Sequence, residues 1–112
     1  MPKGVFLGEF EIYVLLAVSG LRADAYGTAI RRAIEERTGR DVAIGAVYAT
    51  LGRLEDKGLV THAISAPQPV QGGRARKCFQ VTGAGARALE HSTSMLTRMM
   101  SGFKPSPARG RR

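Results

Sequence analysis

A mainly α-helical domain with one small β-hairpin is the fold class predicted by the sequence, on three observations. Apolar residues recur at helical spacing in four separate stretches. One region between the third and fourth of these is rich in alternating β-branched residues. Glycines rather than long loops punctuate the helical stretches, at Gly20, Gly39 and Gly58. With 112 residues, the chain has the size of one small domain with a single core.

The first helix is expected over Gly8–Ser19, with Gly20 closing it. Its apolar residues run from Phe10 through Val14 to Val18 and go nearly all the way round. A helix apolar on every side is central to its domain or turns a second face to another chain. Asp24 is the expected N-cap of a second helix, Ala25 to Thr38. There Tyr26, Ile30 and Ile34 form the buried stripe, and Arg31 with Glu35 and Arg32 with Glu36 are outward i,i+4 pairs. A third helix is expected from Gly45 to Lys57, burying Val47, Leu51 and Leu54. Its opposite face carries Gly45, Ala46, Ala49, Gly52, Arg53 and Asp56. Interior glycines cost a helix ~1 kcal/mol each relative to alanine. A helix that tolerates them on its outer face fits one that something approaches closely.

Leu59–Ala66 and Arg76–Thr82 read as two strands of a hairpin, with Phe79 and Val81 on one face and Cys78 and Gln80 on the other. Thr82 is the expected cap of a last helix that reaches Phe103. Along it Leu89, Leu96, Met99 and Phe103 form a stripe that nothing downstream can bury. That stripe folds back on its own domain or meets a partner.

Charge narrows the function. Lys and Arg number 17 against 9 Asp and Glu, a net +8, and the pI is near 10.6. Such a balance is the electrostatic footprint of a nucleic-acid binder, less often of an anionic-membrane binder. Lys104–Arg112 holds four of the cations and no acid, and reads as a disordered basic tail. No apolar stretch approaches the ~20 residues that span a bilayer. One cysteine excludes an internal disulfide framework. No signal-peptide pattern opens the sequence, so a cytosolic protein is expected. His62 and His91 stand apart with no metal-ligand motif, and no cofactor is expected. Catalytic triads, paired carboxylates in a cleft context and phosphate-binding glycine loops are also lacking, so an enzyme is not expected.

Three helices followed by a hairpin with a basic tip is the order of a winged helix-turn-helix. In that motif the later helix enters the major groove and the hairpin tip reaches the DNA backbone or minor groove. The expected organisation is a DNA-binding domain over 1–82, a dimerisation helix over 83–103 and the tail over 104–112. Small residues Ala46 and Ala49 let the third helix sit deep in a groove ~12 Å wide, or touch a thymine methyl. Arg53, one turn further, reads a guanine, meets a phosphate or is simply solvated. At the wing, Gly73, Arg74, Arg76 and Lys77 lie in a stretch without acids and are expected to contact DNA.

Three segments resemble the PadR family of bacterial transcriptional regulators. They are LGEFEIYVLLAV at Leu7–Val18, DAYGTAIRRAIEERTGRDVAIGAVYATLGRLEDKGLV at Asp24–Val60 and GGRARKCFQVTGAGARAL at Gly72–Leu89. The chain is similar to the short members with a single C-terminal helix. The resemblance implies a dimeric repressor whose first and last helices form the interface, here through Phe10, Val14, Leu89, Leu96, Met99 and Phe103. It also implies that Tyr48, the tyrosine of the GAVY motif, contacts a backbone phosphate. Some short members bind planar or phenolic compounds between the C-terminal helices through a tryptophan. This chain has no tryptophan and offers Met95, Met99, Met100 and Phe103 there, so an inducer is not specified. Cys78 stands where many members carry an aromatic residue. The expected partners are double-stranded DNA and a second copy of the chain, on a pseudo-palindromic site. The competing expectation is a winged-helix module that binds protein or RNA without reading DNA sequence.

Overall fold

The computed structural model describes residues 6–65 and 76–105. Helix α1 spans Glu9–Leu21, α2 Gly27–Thr38 and α3 Ile44–Asp56. Strands β1, Val60–Ile64, and β2, Lys77–Val81, form an antiparallel hairpin in which Val60 faces Val81 and His62 faces Phe79. Helix α4, Gly83–Met100, follows directly. The mainly helical fold with a two-stranded wing is therefore the one the sequence predicts.

One core serves all of these elements. Val14, Leu15 and Val18 of α1 meet Ile30 and Ile34 of α2, and Val47, Leu51 and Leu54 of α3. Leu59, Val60 and Phe79 close it from the hairpin, and Ala88 from α4. Burying a large aliphatic or aromatic side chain contributes ~1.5–3 kcal/mol, so this cluster dominates the stability. Glu11 locks a further joint. Its carboxylate accepts from the Gly8 N–H at 2.9 Å and from Lys57 Nζ at 3.1 Å, tying α1 to the end of α3.

Burial pushes the Glu11 carboxyl up, but the Gly8 N–H and the Lys57 ammonium, with Arg53 beyond, outweigh it and hold it below the usual carboxylate range. A lowered native pKa gives stability that is present above the usual carboxylate range and lost as pH falls through the native value. Glu11→Gln is therefore expected to lower the urea midpoint at neutral pH. The gap from wild type should close on acidification.

Four expectations are corrected. Helix α1 does not stop at Gly20 but continues to Leu21, whose side chain packs on the core. Arg22, at φ 55°, makes the turn instead, its N–H donating to Val18 O. Asp24 does not cap α2: Arg22–Asp24 form a 3₁₀ turn, and α2 starts at Gly27 after Tyr26. The reason lies in the sheet, since Ala25 O accepts the Phe79 N–H at 2.9 Å and Ala25 is buried, which holds it outside the helix. Val14 was expected to face a partner, yet it is 0% exposed. With Leu15 and Val18 it lies on the inward stripe of α1, and Leu16 is the residue turned outward. Helix α4 ends at Met100, short of Phe103, because the chain turns at Gly102, φ 86°.

The start of α4 explains a glycine that would otherwise only weaken it. Thr82 Oγ1 accepts from the Gly85 N–H at 3.0 Å, as expected of a cap, and donates to Gly58 O at 2.7 Å. A Cβ on Gly85 would collide with Leu59 O and lie 2.9 Å from Val81 Cγ1. The first turn of α4 can rest on the root of the wing only without a side chain there.

Candidate nucleic-acid interface

Helix α3 presents two unlike faces. Val47, Thr50, Leu51 and Leu54 are buried. Gly45, Ala46, Ala49, Gly52, Arg53 and Asp56 are all exposed, which is the outer face that the sequence predicts. Among the described residues, nothing lies within 4 Å of where a Cβ on Gly45 or Gly52 would stand. The result is an exposed helix face made mostly of small residues, which lets the helix backbone come close to a groove.

Tyr48 stands at the border, 46% exposed. The hydroxyl end of its ring lies against Gly27, the first residue of α2. Arg53 is on the outer face, but its Nη2 donates to Thr50 Oγ1 at 3.1 Å, so the guanidinium lies back along the helix. Arg76 enters the hairpin with its N–H donating to Ser65 Oγ at 3.1 Å. Its guanidinium carbon sits 4.6 Å from the centre of the Tyr26 ring, a cation–π contact. Tyr26 and Gly27 are neighbours in sequence, so the start of α2 touches both a helix α3 tyrosine and a wing cation. Lys77 is exposed at the far end of β2, opposite Ile64. Gly73 and Arg74, the remaining wing positions, lie outside the described residues.

Not every contact here was legible. His62 Nδ1 donates to Glu55 Oε2 at 2.6 Å, joining β1 to the last turn of α3, while the ring packs on Phe79. Cys78 donates its S–H to Ala23 O at 2.9 Å, a bond to the segment before α2. The Tyr26–Arg76 and Tyr48–Gly27 contacts were also missed; the only sequence signal was the Ala-Tyr-Gly run at 25–27.

A second surface is apolar. Leu96 is 54% exposed, Met99 81% and Phe103 66%, whereas Leu89 packs on the core's edge. Met95, Leu96 and Met99 line a groove with Phe6, Leu7 and Ile12 beside α1. Phe10 is half-buried against the core. A second groove between α1 and α2 is lined by Tyr13, Leu16, Ala17, Leu21 and Ile34. No helix among the described residues is long and apolar enough to cross a membrane.

A helical domain with an exposed small-residue face on α3 and a two-stranded wing carrying exposed cations is the architecture of a winged-helix DNA-binding regulator. Residues 15–91 match the transcriptional regulator PadR-like family, and the chain belongs to that family. Its members are transcriptional regulators rather than enzymes. Among solved structures, the chain is similar to a PadR family transcriptional regulator from Eggerthella lenta, 27% identical over 80% of this chain and 75% of that one, TM-score 0.64. A PadR family transcription regulator from Clostridium difficile is 28% identical over 82% and 96%, TM-score 0.62. A PadR-like transcriptional regulator from Bacillus cereus, 21% identical over 82% and 84% with TM-score 0.69, shares the fold. No protein of curated function is significantly similar to the chain.

Proposed function

We propose that the protein is a homodimeric repressor that reads a pseudo-palindromic operator. The observation that carries the reading is the exposed small-residue face of α3, at Gly45, Ala46, Ala49, Gly52 and Arg53, in a chain whose described wing residues Arg76 and Lys77 are exposed cations. In this reading Ala46 and Ala49 approach the base edges, and Arg53 exchanges its bond to Thr50 for one to a guanine. Tyr48, Arg76 and Lys77, with Gly73 and Arg74 at the tip, hold the phosphates. Two copies join through α4, with Leu96, Met99 and Phe103 of one chain laid against the α1–α2 groove of the other at Leu16, and Phe10 and Leu89 at the rim. Each dimer then presents two α3 helices, and a two-fold dimer meets half-sites ~10 bp apart or a multiple of that.

Arg53 tests the reading. On the sequence that the protein selects from random DNA, Arg53→Ala is expected to cost ~1–3 kcal/mol and to relax preference at one position per half-site. Scrambled DNA at the same salt should be bound almost as before. An equal loss on both duplexes would make Arg53 a phosphate contact, because such contacts carry no sequence information.

A further inference from the structure

We infer that Gly27 is a positioning residue for DNA binding, fixing the hydroxyl of Tyr48 where the phosphate contact is made. The inference rests on the reading of Tyr48 as a phosphate contact and adds a residue to it. Gly27 is buried at the first position of α2. A Cβ there would stand 2.8 Å from Tyr48 Cε1 and closer still to Cζ and Oη. The atoms in the way are therefore the hydroxyl end of the ring, not its root. Carbon atoms in ordinary contact keep ~3.5–4.0 Å apart, so any side chain at position 27 moves that hydroxyl by about 1 Å or more. An O–H···O bond spans only ~2.5–3.0 Å, and a displacement of that size breaks it.

Helix formation offers no reason for glycine here, since alanine is the better helix former. The space is spent on Tyr48. Tyr48 in turn is only half covered by the protein, so its ring is braced from one side and open on the other. The brace holds the hydroxyl against Gly27, whose chain neighbour Tyr26 carries the Arg76 guanidinium on its ring. A tyrosine from α3 and a guanidinium from the wing thus take their positions from two consecutive residues of α2. A strand of phosphates passing that edge meets both.

The test is a double-mutant cycle read by binding to a mixed-sequence DNA duplex at low salt, where phosphate contacts alone report. Tyr48→Phe keeps the ring and removes the hydroxyl, and is expected to weaken binding at least about tenfold. Gly27→Ala should weaken it by a similar factor. Gly27→Ala with Tyr48→Phe should be no weaker than either alone, because both remove one contact. Stability gives a second readout by urea midpoint. Gly27→Ala should lower the midpoint in the wild-type background and raise it in a Tyr48→Ala background, where the ring no longer occupies the space. That pair decides the packing even if Gly27→Ala alone does not fold. Losses that multiply in the cycle, or a folded Gly27→Ala that binds like wild type, would overturn the positioning role. Wild-type binding by Tyr48→Phe would instead overturn the phosphate contact, and the role of Gly27 with it.

Discussion

Leu96→Lys with Met99→Lys is expected to turn the proposed dimer into monomers and to weaken binding to a two-fold site by roughly 10²–10⁴, the gain lost when two linked half-sites become independent. Both side chains are more than half exposed in the single chain, so neither contributes much to the protomer's own core. Surface changes of this kind usually shift stability by only ~0.5 kcal/mol either way. In the dimer each would bury apolar surface at ~25 cal/mol per Å², and the two-fold axis doubles every loss. Sedimentation of the variant should give the monomer mass with an unchanged circular dichroism spectrum. A dimeric mass would move the interface away from the exposed stripe of α4.

Arg76→Ala with Lys77→Ala is expected to flatten the salt dependence of DNA binding. The pair removes two cations per chain, four from the proposed dimer. If all four neutralise phosphates, the slope of log K against log salt falls by roughly 3–4. The loss should be similar on any duplex, since phosphate contacts position the protein without reading bases. Arg76 brings a separable signal. Tyr26→Leu removes the ring beneath its guanidinium but leaves the charge, so it should lower affinity while keeping most of the slope. An unchanged slope in the double variant would place the wing off the DNA.

Much of this was readable in advance because the relevant signals are local. The two faces of α3 follow from helical spacing alone, with Val47, Leu51 and Leu54 inside and Ala46, Ala49 and Arg53 outside. The cap at Thr82 and the left-handed turn at Gly39 obey rules written in neighbouring residues. What escaped prediction is set by contacts distant in sequence. Asp24 has the chemistry of a cap, but the hydrogen bond from Phe79 to Ala25 overrides it from 54 residues away. Val14 belongs to a helix apolar on nearly every side, and periodicity cannot say which face of such a helix is the inner one. Gly27 carries no local signal of its role, which lies in the Tyr48 ring packed against it from 21 residues away. Arg53 lies on the expected face, yet its bond to buried Thr50 is a choice of rotamer that no spacing records.

In the proposed dimer, two α3 helices related by the two-fold axis read DNA in successive major grooves. Selection of bound duplexes from a random pool by the full chain tests it most directly. One enriched motif with two-fold symmetry is expected, its half-sites ~10 bp apart or a multiple of that. Arg53→Ala is expected to select the same dyad with one position per half-site relaxed. Enrichment of a motif without a dyad, or no enrichment over the starting pool, would contradict it.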